Sequence, residues 1–217
     1  RFFVDIKLKN KIVTAHCPNP GSMIKLLDKG NTVWITKTKN ETRKLKYTLQ
    51  IIQVNNIKIC VNTHITNKIV QDSINKKLID ELKSFNIIRP EKKFGKDTRF
   101  DFLLLNNKTN KKAFLEVKSV SLQRKNKHAE FPDSVTSRGK KHLENLISAY
   151  QQGYESYLMF LIQIEKCKSF SIASDIDPEY FKVFEVSKKN VKMLCYDCKF
   201  SNKGIEINNK IKMFLND

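Results

Sequence analysis

Along the first 65 residues, short runs of alternating apolar and polar positions are separated by turn-forming residues, the period-2 pattern of half-buried strands. Residues 2–8 and 11–15 flank a Lys9-Asn10 turn, 33–36 follows, and 45–54 leads through Asn55-Asn56 to 57–61. Paired asparagines between apolar runs signal a hairpin, because Asn tolerates the positive φ of a two-residue turn. Five such strands predict a small Greek-key β-barrel of the oligonucleotide-binding (OB) type. His16-Cys17-Pro18-Asn19-Pro20-Gly21-Ser22-Met23 is read as an irregular loop, since two prolines and a glycine suit neither strand nor helix.

The period then changes. Ile69, Ile74, Leu78, Ile79, Leu82 and Phe85 recur at helical spacing, which predicts a helix over 66–88 linking the barrel to a second unit. From 87 onward strand and helix alternate. Strands are expected at 99–105 and 113–122 around a polar turn at 106–110, followed by a basic loop at 124–128. A helix is predicted from about 134 to 152, with Leu143, Leu146, Ile147 and Tyr150 as its buried stripe and Gly153 at its end. Residues 157–164 read as a buried strand, and Asp177-Pro178 opens another helix as cap and first-turn proline. Residues 191–196 and 205–207 are strand-like. The expected organisation is α+β: an OB-like β-barrel at 1–65, a linking helix at 66–88, and an α/β domain at 89–217.

The two strands around the 106–110 turn carry the chemistry. Residues two apart in a strand share a face, so Glu116 and Lys118 point the same way. Asp101 interrupts a strand otherwise made of Phe and Leu, and antiparallel pairing through the turn can set it against Glu116. Carboxylates side by side in apolar surroundings are costly unless a cation shares the site. Mg²⁺ takes few protein carboxylates, several waters and the substrate's phosphate oxygens. Asp101 and Glu116 are therefore candidate ligands for Mg²⁺ (or Mn²⁺). Lys118 is the candidate to stabilise an attacking hydroxide or the phosphate's developing charge. A solvent-facing Glu–Lys pair would produce the same short pattern; Asp101 on an apolar neighbouring strand is what sets this one apart.

Charge adds a partner. Forty-one Lys and Arg face 22 Asp and Glu, a formal net charge of +19, which favours polyanions through counterion release. A Lys-, Asn- and Ile-rich composition of the kind an AT-rich genome imposes accounts for part of that surplus. Arg138, Lys141 and His142, near the start of a helix, are placed to meet phosphate with help from the helix N-terminus, as are Arg99, Arg124 and Lys125. A solvated helix face would look similar, and His142 reads equally as a structural histidine. His16 either lines a cleft or is structural.

Cys17, Cys60, Cys167, Cys195 and Cys198 read as reduced thiols, and the Cys195-x-x-Cys198 spacing lacks the second pair that a zinc site needs. No apolar run approaches the roughly 18 residues of a membrane span, and the first residues lack a signal-peptide pattern. A cytoplasmic protein with no membrane partner is expected. No Gly-rich phosphate loop points to a small-molecule cofactor.

Four motifs in chain order resemble the sugar fermentation stimulation protein A family of bacteria and archaea. They are Val13-Thr-Ala-His16-Cys17-Pro18-Asn-Pro-Gly21-Ser22-Met23, Arg99-Phe-Asp101-Phe-Leu-Leu, Glu116-Val-Lys118-Ser-Val, and Phe131-Pro132-Asp133-Ser-Val-Thr136-Ser-Arg138-Gly139-Lys-Lys141-His142-Leu143. Pro20 and Glu130 depart from the family's usual residues. The resemblance implies an OB-like barrel followed by a PD-(D/E)xK nuclease-like domain, sequence-nonspecific DNA binding, and a regulatory link to sugar (maltose) metabolism. It also offers Glu91 as a third acidic member of the metal site; a surface glutamate after a proline is the competing reading.

Three functions follow for testing: a DNA-binding protein whose nuclease-like fold serves binding, an active Mg²⁺-dependent DNA endonuclease, and an RNA-binding module dominated by the barrel. Retention of Asp101, Glu116 and Lys118 together favours metal chemistry. Few barrel aromatics beyond Trp34 and Tyr47 are available for base stacking, which counts against the RNA module.

Overall fold

The computed structural model describes residues 2–95 and 98–214. Its first five strands are β1 (Phe3–Leu8), β2 (Lys11–His16), β3 (Thr32–Lys37), β4 (Tyr47–Val54) and β5 (Ile57–Cys60). They form one sheet in the order β1-β2-β4-β3, with β5 added to β4. Asn55 and Asn56 both take positive φ, 47° and 60°, so the hairpin between β4 and β5 turns as the paired asparagines predict. The sheet is OB-like, but among the described residues its edges do not pair with each other. The closed barrel expected from sequence is an open, curled sheet instead.

The helical pattern over 66–88 is used only in part. α1 spans Thr66–Asn75, and Lys77 then takes φ 58°, which ends it; a short 3-10 turn at Asp80–Leu82 follows. Ile69, Ile74, Ile79, Leu82 and Phe85 are buried as predicted, whereas Leu78 is 45% exposed just past the left-handed residue.

The second half is a six-stranded mixed sheet in the order β14-β13-β11-β8-β7-β6. Its strands are β6 (Ile87–Phe94), β7 (Thr98–Asn106), β8 (Lys111–Val120), β11 (Glu155–Ile162), β13 (Lys192–Ser201) and β14 (Gly204–Lys210). β7 and β8 form the antiparallel hairpin read from sequence, while β11 lies parallel to both β8 and β13. α2 (Ser137–Gln151) joins the parallel strands β8 and β11, and α3 (Pro178–Ser187) joins β11 and β13. Thr136 caps α2 by accepting from the Gly139 N–H, and Asp177 caps α3 by accepting from the Tyr180 N–H. Gly153, at φ 89°, ends α2. On α2, Leu143 and Leu146 are buried, Ile147 is half-buried, and Tyr150 is 48% exposed, so the buried stripe is narrower than expected.

The basic loop at 124–128 is itself a hairpin. β9 (Leu122–Lys125) and β10 (His128–Phe131) join β12 (Ser169–Ile172) and β15 (Lys212–Phe214) in a small sheet. Two four-residue strands with a polar turn between them carry too little periodicity to be recognised in advance.

Alternation in β8 and β11 places two cores on opposite faces of the large sheet. Leu115 and Val117 of β8, with Tyr157, Met159 and Leu161 of β11, pack with α1. Phe114, Val120, Leu158, Phe160 and Ile162 pack under α2 and α3, in a cluster that runs on into the OB-like sheet through Leu49, Ile52 and Ile59. The two halves also share backbone bonds: Cys60 N–H donates to Gln163 O at 2.9 Å, and Glu165 N–H to Lys58 O at 2.9 Å. Cys195 and Cys198, three apart in β13, fall into different cores and stay free thiols.

Candidate active site

Glu116 lies on the β8 face that packs under α2, together with Phe114 and Val120. Only 3% of it is exposed. Lys118, two residues on, reaches back so that its Nζ donates to Glu116 Oε1 at 2.7 Å. His142 of α2 approaches the same oxygen through Nδ1. Arg138, one turn earlier, donates from Nε to His142 Nε2 at 3.3 Å. A guanidinium can only donate, so Nε2 is the acceptor and the proton sits on Nδ1, facing Glu116. Burial acts to raise the Glu116 pKa, but Lys118 and His142 outweigh it and hold the carboxyl below its ordinary value.

Asp101 enters from β7. The ladder between β7 and β8 pairs Phe102 with Leu115 and goes no further in that direction. One step beyond, Asp101 Oδ2 accepts from the Val117 N–H at 2.7 Å, doing with a side chain what a strand carbonyl does elsewhere. Its other oxygen accepts from Asn67 Nδ2 of α1 at 2.7 Å. Burial, and next the charge of Glu116, push the Asp101 pKa up to about 6, although the Val117 and Asn67 bonds and Lys118 pull the other way.

Two buried polar atoms beside this centre lack a hydrogen-bond partner, Glu116 Oε2 and the Tyr180 hydroxyl. Tyr180, on α3, is fully buried, and burial followed by the nearby Glu116 and Asp177 charges drives its pKa well above the usual range. An orphaned carboxylate oxygen is expensive in a protein interior. Glu116 Oε2 beside the carboxylate of Asp101 is therefore the donor set a hard divalent cation prefers, and the residues present fit such an ion. Among the described residues no set of three or more His, Cys, Asp and Glu side chains converges at metal-binding spacing. That is compatible with Mg²⁺, which keeps much of its shell as water and phosphate.

The remaining sequence-predicted residues divide. Arg99 lies two positions before Asp101 in β7 and is exposed. Arg138 reaches the centre through His142, while Lys141 is exposed and borders a shallow groove with Lys92 and Lys93. His142 itself is turned inward as a partner of Glu116 rather than outward toward phosphate. Glu91 stands opposite Asp101 in register, between Pro90 and Lys92, but its φ of 52° breaks the strand alternation. Its exposed carboxylate lies 3.7 Å from Arg99 Nη1. Arg124 is committed elsewhere: it bonds both oxygens of Glu130 at 2.8 and 2.7 Å and both of Asp175. This pairing also explains how Glu130 is tolerated while 5% exposed. Lys125 is an exposed hairpin residue opposite His128.

Asn67 and Tyr180 carried no sequence signal, since each looks like an ordinary helix residue. The Pro18–Met23 loop joins the centre's surroundings at the junction of the two halves. Thr63 Oγ1 donates to Pro18 O at 2.8 Å, and the Met23 N–H donates to Asp133 Oδ2 at 3.3 Å. A cleft of 380 Å³ lies there, with Gly21, Thr63, Ser119, Asp133 and Thr136 in its walls.

An OB-like sheet fused to an α/β domain with a buried Asp–Glu–Lys centre defines a two-part protein, and the comparisons divide it likewise. The family model described as SfsA N-terminal OB domain matches residues 1–61, and that of the Sugar fermentation stimulation protein RE domain matches 64–204. The chain belongs to the sugar fermentation stimulation protein family. It is 51% identical over 214 residues to a sugar fermentation stimulation protein homolog of Pelagibacter ubique, covering 98% of this chain and 91% of that protein. A homolog of Brucella anthropi is 37% identical, with 95% and 89% covered. The solved structure of Pyrococcus furiosus SfsA in complex with Ca2+ superposes with a TM-score of 0.89 at 22% identity, over 99% of this chain and 91% of that one, a likeness of fold. No helix among the described residues is long and apolar enough to cross a membrane.

Proposed function

We propose that this chain is a largely sequence-nonspecific DNA-binding protein whose α/β domain, of PD-(D/E)xK nuclease-like design, engages strand phosphates at the Asp101–Glu116–Lys118 centre. The observation that carries the reading is the orphaned Oε2 of Glu116, buried beside Asp101 in a protein of charge +19. Asp101 and Glu116 would hold Mg²⁺ or Mn²⁺. When bound, the ion supplies Lewis-acid polarisation of a phosphoryl oxygen and lowers the pKa of water. The chain's own residues do the rest. Lys118 neutralises Glu116 and presents a cation to the phosphate; His142 fixes the orientation of the Glu116 carboxylate; Asn67 and the Val117 N–H fix that of Asp101. The Ca2+ in the Pyrococcus furiosus protein supports a divalent cation here. The family's name supports a regulatory role in sugar metabolism.

Cleavage is the second reading, favoured by the presence of all three of Asp101, Glu116 and Lys118 in one arrangement. The test is supercoiled plasmid with Mg²⁺ or Mn²⁺ beside Asp101→Ala, Glu116→Ala and Lys118→Ala. Nicking by the wild type that is lost in all three establishes an endonuclease. Nicking that survives in them identifies contamination and removes that reading. DNA binding without nicking by any form leaves the chain a binding protein.

A further inference from the structure

The OB-like half and the turn that follows it carry a basic cluster that the proposed centre does not use. His16 ends β2, and Arg43 reaches it from the loop between β3 and β4, with Nη2 3.4 Å from His16 Nδ1. Arg43 can only donate, so Nδ1 accepts and the Nε2–H of His16 is left as a donor. The His64 ring lies 6.2 Å from that of His16, centroid to centroid. Among the described residues none of the three has a carboxylate within ion-pair distance. The His16 pKa is lowered, by burial first and then by Arg43 and His64, so the three groups oppose one another rather than offset a charge. A guanidinium and two imidazoles gathered without an acid are what an anion would complete.

Position says which anion. His64 belongs to the 3-10 turn Thr63–Ile65, which runs directly into α1. Residues three apart on one helical stretch have Cβ atoms about 5–6 Å apart. Three residues on, Asn67 holds the Asp101 carboxylate. The centre thus lies between two basic flanks: Arg138 acting through His142 on one side, and His64, His16 and Arg43 through Asn67 on the other. We infer that His16, Arg43 and His64 form a second phosphate site, which takes a backbone phosphodiester of the same DNA strand a short distance from the Asp101–Glu116 centre. The inference rests on the DNA-binding reading and extends the contact from the α/β domain onto the OB-like sheet.

The test measures affinity for a fluorescent duplex oligonucleotide over a range of salt, for wild type, Arg43→Ala, His64→Ala, Arg43→Lys and, as a charge-matched control at an exposed lysine of β13, Lys199→Ala. Thermal melts check that each is folded. Arg43→Ala is expected to lower affinity several-fold and to reduce the slope of log K against log salt by about 1. His64→Ala should weaken binding, Arg43→Lys should recover most of the slope, and Lys199→Ala should match wild type. Equal affinities and slopes for wild type, Arg43→Ala and His64→Ala overturn the inference while leaving DNA binding intact. A wild type that does not bind DNA at low salt removes the functional reading as well. Imidazole NMR signals of His16 and His64 separate the sources of phosphate. Shifts on adding oligonucleotide support the strand contact, and shifts with inorganic phosphate alone, at equal ionic strength, assign a free-phosphate site and overturn it.

Discussion

Asp101 meets Val117 where the β7–β8 ladder stops, its Oδ2 accepting the Val117 N–H at 2.7 Å. The bond fixes the carboxylate beside Glu116, in a setting that raises its pKa to about 6 from 3.8. A carboxyl whose folded value lies above its unfolded one favours the folded state when protonated. That contribution is complete below about pH 4 and is lost as pH rises through 6. With chelator present, wild type should therefore lose stability relative to Asp101→Asn between pH 4 and 7. Melting temperatures across that range check it, and parallel curves would sink the assignment. With cation added, the stabilisation of wild type should instead grow as pH rises through 6, because the metal requires the ionised form.

His142 holds Glu116 from the helix side. His142→Ala would leave Glu116 Oε1 with Lys118 alone in a buried position, at a cost of about 1–3 kcal/mol. Denaturant unfolding should register that loss. His142→Asn, which keeps a donor, should restore part of it. A variant as stable as wild type would mean the contact contributes nothing.

Arg124 is predicted to matter for folding and not for DNA. Removing it strands Glu130, a buried carboxylate, so Arg124→Ala should lose about 3 kcal/mol or more. Its DNA affinity should fall no further than that of Lys199→Ala, which removes one exposed charge. A selective loss of DNA binding in a fully stable Arg124→Ala would reverse the assignment.

Gly21 is fitted against Asp133. A Cβ at Gly21 would lie 2.1 Å from Asp133 Oδ2, so Gly21→Ala must displace either the loop or the carboxylate. A loss of about 1–3 kcal/mol is expected. Asp133→Ala in the same chain should relieve the overlap, and a double-mutant cycle measures the coupling. Additive losses would show that the two do not meet.

The site was legible where strand parity carried it. Glu116 and Lys118 share a face by spacing alone, and the short turn at 106–110 sets the register that brings Asp101 alongside. What stayed hidden depends on packing across distant segments. Asn67 reaches Asp101 because α1 crosses β8, and Tyr180 reaches Glu116 because α3 lies against α2; neither proximity has a local pattern. His142 looked outward as one of three basic residues, yet at helical spacing it falls beside Leu143 and Leu146 on the buried side. Arg124 misled for a related reason, since its two carboxylate partners are 6 and 51 residues away. In the fold, the paired asparagines and the Asp177-Pro178 cap gave their elements directly. The helix expected over 66–88 ends at Asn75, just before the left-handed Lys77, where no glycine or proline marks the stop.

The central claim is a divalent cation held by Asp101 and Glu116 that helps grip DNA. The most direct measurement is duplex DNA affinity with Ca²⁺ against affinity with chelator at fixed ionic strength, for wild type and Glu116→Gln. The account predicts that Ca²⁺ tightens binding by wild type severalfold and leaves Glu116→Gln unchanged. Equal affinities of wild type with and without Ca²⁺, or the same gain in Glu116→Gln, would contradict it.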